Sequence, residues 1–284
     1  MNSAAMNPTA RRKPRPRLSI SGAIGMAIVA FWLLMALIGP SIAPHGVGGQ
    51  IGDDVFAPMS AQYWLGTDYL GRDMLSRILH GAPYTIGVAF AGVTLACTFG
   101  LVLALCAAAN GGWLDHLISR VMDTLIAIPN KLLALIIVAA FGSSVPLLIV
   151  TAAVCYMPGT FRISRALAVN VQAMDYVQSA RARGEGMFYI MLYEMLPNMY
   201  RPVLADFGLR FVFTVLLLSG MSFLGLGVQP PHADWGSLVR ENIIGLSLGA
   251  PAVIVPALAI ATLTIGVNLA IDALSGGKRR GSEG

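Results

Sequence analysis

Charge is scarce in this chain of 284 residues: only 12% are Asp, Glu, Lys or Arg, against 56% hydrophobic. A water-soluble domain carries roughly 25% charged residues, so there is too little polar surface here for a soluble fold. Cysteine is also sparse. Cys97, Cys106 and Cys155 lie inside apolar runs and form no Cys-x-x-Cys pair, which excludes a disulfide framework and leaves small packing residues. The four histidines, His45, His80, His116 and His232, show no ligand spacing on one helix, and no His-Glu-x-x-His occurs. There is no Gly-x-x-x-x-Gly-Lys-[Ser/Thr] loop to cradle phosphates. No internal repeat and no basic patch interleaved with aromatics is present, which argues against nucleic acid as partner.

What is present is apolar length. A membrane-spanning helix needs about 20 mainly apolar residues, and the mean hydropathy is +0.71. Six stretches qualify: Ile20–Gly39, Tyr84–Ala109, Leu117–Phe141, Val145–Phe161, Val203–Met221 and Ala250–Leu274. The expectation is an all-α polytopic membrane protein of six transmembrane helices. Arg11-Arg12-Lys13-Pro14-Arg15-Pro16-Arg17 precedes a run too long for a cleaved signal core of about 7–15 residues, so the first span reads as a signal anchor. Lysine and arginine bias then sets orientation. With the N-terminus inside, the inner side holds Arg11, Arg12, Lys13, Arg15, Arg17, Arg120, Arg162, Arg165, Arg181, Arg183, Arg201, Lys278, Arg279 and Arg280. The outer side holds only Arg72, Arg77 and Arg240. Both termini are therefore expected in the cytoplasm. The resulting organisation is a basic tail (1–19), the anchor (20–39), an outer segment (40–83), a core (84–274) with an inner loop (162–201), and a second tail (275–284).

The inner loop carries the most information. Met174, Val177 and Ala180 share one helical face, with Gln178, Arg181 and Arg183 around the polar side. Gly184 and Gly186 break that helix, and a second apolar-faced segment, Met187–Met195, is expected to stop before Pro197. Two short helices joined at glycine suit docking into a groove on a partner protein, or lying on the lipid interface. On the outer side, Asp73 can N-cap a short interfacial helix with Met74, Leu75, Ile78 and Leu79 as its apolar stripe and Arg72, Ser76 and Arg77 off it. Ser222–Gly236 is rich in turn residues, and Asp234 and Trp235 suit an interfacial anchor.

Charges inside spans are costly and mark function by default. Lys131 follows Pro129 in the third stretch, and Arg210 lies about two turns into the fifth, with Asp206 at i−4. For both basic residues, lining of a pathway and structural pairing stand as equal readings. Asp123, Asp206 and Asp272 read as hydrated charges near helix ends.

Gln178-Ser179-Ala180-x-x-x-Gly184, with Leu196-Pro197 at the kept spacing, resembles the EAA loop of bacterial ABC importer permeases. Gln178 stands where Glu is usual, Ser179 replaces an Ala, and Glu194 sits at an Ile position. Trp64–Arg77 and Ser222–Gly236 resemble the segments that follow the first and fifth spans in second permeases of dipeptide/oligopeptide importers, and Arg120-x-x-Asp123 with Pro129 adds a third-span likeness. An apolar residue is usual in those permeases where Lys131 stands. The resemblance runs over about residues 20–274 and implies a type I ABC importer permease fold in the bacterial inner membrane. It implies a coupling loop for ATPase subunits formed by Gln178, Ser179, Ala180, Arg181, Gly184, Glu185, Leu196 and Pro197. An outer-side segment of Ser222, Phe223, Gly225, Gly227, Asp234 and Trp235 would line the mouth or dock a binding protein, and Lys131 and Arg210 are pathway candidates. The implied partners are a homologous permease, two ATPases, a periplasmic binding protein and lipid. ATP and Mg would be held by the ATPases, with no cofactor or metal on this chain and no catalysis by it. Substrates carried by such systems include peptides, opines, glutathione-like compounds and nickel complexes. An ion-coupled secondary transporter, the alternative, would need broken-helix repeats, and an intramembrane enzyme would need a nucleophile or metal set. Neither pattern is found.

Overall fold

The computed structural model describes residues 19–48 and 55–275, so Arg11–Arg17 and Lys278–Arg280 lie outside the described residues. Among the described residues all regular structure is helical, apart from one isolated bridge between Thr67 and Asp73. We number the helices α1 (Ile20–Ile42), α2 (Met74–Asn110), α3 (Gly112–Ile126), α4 (Asn130–Phe141), α5 (Val145–Gln172), α6 (Asp175–Ala182), α7 (Met187–Phe223), α8 (Trp235–Glu241) and α9 (Pro251–Ser275). Five of them are long and apolar enough to cross a membrane, or six spans if α3 and α4 count as one.

Small residues let these helices approach closely, as they must where lipid offers no hydrophobic drive for association. Gly25 of α1 sits where a β-carbon would fall 2.6 Å from Leu269 Cβ of α9, and Gly266 answers it from the other side against Ile28. Trp32 ties the same pair by donating to Thr262 Oγ1 at 3.0 Å. Gly92 and Gly100 of α2 do likewise against Ala152 and the Met157 carbonyl of α5. The central core is α2, α5 and α7, with Val93, Ala96, Leu148, Ala152, Val215 and Leu218 buried between them.

Two helices are much longer than a bilayer. α2 and α7 have 37 residues each, about 55 Å at 1.5 Å per residue, against a hydrocarbon core of about 30 Å. Each passes a proline by a π turn, at Pro83–Gly87 in α2 and at Ile190–Met195, just before Pro197, in α7. The extra residue absorbs the ring and the missing N–H without stopping the helix. Two expectations change as a result. The outer helix at Met74 is the start of α2 rather than a separate interfacial helix, and Ser76 and Arg77 are buried together with Met74, Ile78 and Leu79. The segment at Met187 runs through Pro197 instead of stopping before it.

The stretch 117–141 is not one straight span either. α3 and α4 meet at 86°. Pro129 disfavours helix at Ile128 and itself stands at the N-cap of α4 with an extended ψ of 127°.

Candidate functional site

The loop between α5 and α7 is ordered by local chemistry. α6 ends in a paired cap in which Glu185 N donates to Ala180 O at 3.2 Å and Gly184 N to Arg181 O at 2.9 Å. That closure needs a left-handed residue, and Gly184 has φ +82°. Val177 and Ala180 are fully buried against Leu105, Ala108, Ala168, Ile190, Met195 and Met199, so α6 is packed onto the base of α2, α5 and α7. Met174, expected on that face, is the N-cap residue and half exposed. Arg181 Nη2 donates to the Ala109 carbonyl at 3.3 Å, and Gln178 Nε2 to the Gln172 carbonyl at 2.9 Å. Arg183 stands 3.7 Å from both Glu185 and Glu194. Ser179 and Pro197 are exposed and Leu196 half-buried. Tyr176, Phe188, Tyr189 and Tyr193 turn outward from the same loop, the last two stacked at 4.9 Å.

On the opposite face, α7 ends at Phe223, partly exposed, and the chain doubles back. Gly227 crosses Ser222 so closely that a β-carbon would fall 1.7 Å from the Ser222 hydroxyl, and Gly225 takes φ +87° beside Arg240. Asp234 caps α8 in a reciprocal box with Ser237. Burial pushes the Asp234 carboxyl above its ordinary range, opposed by hydrogen bonds from Ser222 and Ser237. Trp235 is not an interfacial anchor. It is fully buried, with its N–H on Thr85 Oγ1 at 2.9 Å, its indole N–H on the Ile78 carbonyl at 3.1 Å, and its ring edge-on to Trp32.

Sequence reasoning missed the ionic cluster beside it. Arg72 Nε donates to Asp68 Oδ2 at 2.6 Å, and Arg77 Nη2 to Glu241 Oε2 at 2.6 Å, all four side chains being largely or wholly buried. The partners are 164 and 169 positions apart where they bridge to Glu241, a distance no local pattern reports.

The two basic residues of the spans have different surroundings. Arg210 donates from Nε to Asp206 Oδ2 at 2.7 Å and is largely buried. Lys131 is exposed in the first turn of α4, beside the break, and has no ion-pair partner among the described residues. Among the described residues no group of His, Cys, Asp and Glu could hold a metal ion.

Residues 96–280 match the family model described as binding-protein-dependent transport system inner membrane component. The chain belongs to this family. Similar proteins include the dipeptide transport system permease of Alkalihalophilus pseudofirmus, 31% identical over 88% of this chain and 83% of that one. The di/tripeptide transport system permease of Pseudomonas aeruginosa is 32% identical over 90% and 86%, and the glutathione transport system permease of Pectobacterium atrosepticum 33% over 76% and 71%. This family member is thus a permease subunit of an ABC importer in the inner membrane, working with ATPase and substrate-binding subunits and not catalytic itself. The permease fits the chain better than the ion-coupled secondary transporter.

Proposed function

We propose that this chain is the second of two homologous permeases in an importer of peptides or peptide-like solutes. Two ATPase subunits holding ATP and Mg would energise it, and a periplasmic binding protein would deliver the solute. The substrate class is supported by the dipeptide, di/tripeptide and glutathione permeases to which the chain is similar over most of its length. The coupling role is carried by one observation, the seating of Val177 and Ala180 on Ile190, Met195 and Met199 at the start of α7. A push on the exposed side of α6 passes into a continuous 37-residue helix, and through Arg181 into the end of α2. The exposed Tyr176, Phe188 and Tyr189 with Gln178, Ser179 and Arg183 form the docking face for an ATPase. The excess of Arg and Lys on that face supports a cytoplasmic loop and cytoplasmic termini.

The complete complex, reconstituted in liposomes, should take up labelled dipeptides, tripeptides or glutathione only with ATP and its binding protein. A binding protein that carries none of these would remove the substrate class. Reporter fusions at Gly184 and His232 should read cytoplasmic and periplasmic respectively, and the reverse would remove the coupling role.

A further inference from the structure

Arg210 stands within the membrane-crossing part of α7, and its only hydrogen-bonded partner among the described residues is Asp206, through Nε at 2.7 Å. That pair lies on one helix, so among the described residues its hydrogen bond ties α7 to no other helix while removing two charges from water, the side chains being 12% and 6% exposed. A pair that served only to fasten α7 would have its acid on a neighbouring helix. The two terminal nitrogens point instead at Gly159 of α5, where a β-carbon would lie 2.6 Å from Nη1 and 2.9 Å from Nη2. Glycine keeps open the room in which the fork sits. Gly159 follows Pro158 and is one turn beyond Cys155, whose thiol meets the Asn130 carbonyl at 3.6 Å. Lys131 is the next residue, so a second cation enters α4 about one turn from the same stretch of α5.

A guanidinium with two free amino groups in a plane matches the two oxygens of a carboxylate. We propose that Nη1 and Nη2 of Arg210, held in place by Asp206 and given room by Gly159, bind a carboxylate of the solute as it passes. The inference rests on the peptide-like solute proposed above.

The test uses the complete reconstituted complex and matched probes: alanyl-alanine, trialanine and glutathione, each beside its C-terminal amide. The wild-type complex should prefer the acid of each transported pair. The double variant Asp206→Asn/Arg210→Gln removes both charges and leaves no orphan, whereas Gly159→Ala keeps both charges and crowds Nη1. In either variant the acid-to-amide ratio of kcat/KM should fall roughly tenfold or more, the worth of a charge-assisted hydrogen bond or two. A wild-type complex without acid preference overturns the proposal alone, as does a ratio unmoved in an assembled variant. A wild-type complex that moves no member of any pair overturns the peptide reading and this proposal with it.

Discussion

Arg165 closes on Asp115 through two parallel hydrogen bonds, Nε to Oδ1 and Nη2 to Oδ2, both 2.5 Å. The pair clamps the start of α3 to α5 just beyond the apolar part of α5, on the face that carries α6. The Arg165 hydrogen bonds hold the Asp115 carboxyl below its ordinary range, against the opposing effect of burial.

This depressed acid sets a pH dependence. Its contribution to stability is complete above the unfolded carboxylate range, about pH 4, and is lost as pH falls through the lower folded value. Asp115→Asn should destabilise the solubilised complex by about 1 kcal/mol at neutral pH, since Arg165 is partly exposed and solvent screens the pair. Thermal melts of wild type and variant should converge in acid. A gap that persists well below pH 3 would sink the assignment.

Asp234 has the opposite sign. Its carboxyl is raised by burial, so the folded chain holds its proton more tightly and acidification through that range favours folding at this site. Asp234→Asn keeps the cap and removes the buried charge, and should leave stability at neutral pH unchanged or higher. Asp234→Ala should cost about 1 kcal/mol through the lost cap. Beside it, Trp235→Ala should cost about 3–5 kcal/mol, the range for emptying a fully buried aromatic site. Trp64→Ala, at a residue 71% exposed, should stay within about 0.5 kcal/mol. Unfolding midpoints of the four variants decide the order.

The proposed coupling loop depends on one backbone conformation. Nothing lies within 4 Å of a β-carbon at Gly184, so substitution there strains φ +82° without a clash. Gly184→Trp should cost roughly 1–2 kcal/mol locally, leave membrane insertion intact, and loosen or uncouple the ATPases. Gly184→Asn, which tolerates the left-handed region, should be milder. Co-purification with the ATPases and solute-stimulated ATP hydrolysis measure both. Wild-type coupling in Gly184→Trp would end the idea that this bend sets the docking geometry.

Local features were readable from the chain. The Asp73 cap and the glycine stop at 184 each depend on residues within a turn. The i,i+4 spacing offered Asp206 to Arg210, yet Asp206, read as a hydrated charge near a helix end, is buried in that pair. Hydropathy found the helices, yet it missed the 86° bend within 117–141, because apolar content does not register the turn that Pro129 imposes. It also halted α7 at Pro197, where a π turn carries the helix past the ring. What stayed hidden were contacts between distant segments: Arg77 with Glu241, Arg165 with Asp115, and Trp235 under Ile78 and Thr85. Those depend on how spans pack, and a stripe of apolar residues specifies burial without naming its partner.

Lys131 offers the sharpest test of the pathway. A lysine within a span costs roughly 2.5–3.5 kcal/mol on insertion scales, and its place in the first turn of α4 sets it against the positive end of that helix. Both terms favour an anion nearby, yet none of the described acidic residues pairs with it. An extra carboxylate on the solute would supply one as it passed the break between α3 and α4. In Lys131→Met the complex should assemble and bind ATPases as before, while uptake of acidic peptides falls several-fold, about 1 kcal/mol for one partly hydrated charge pair, relative to neutral ones. Equal losses for both would make Lys131 structural, and no loss for either would leave it reaching for the headgroups. Either result removes the solute-charge role from Lys131 and leaves Arg210 to be judged by its own acid–amide pairs.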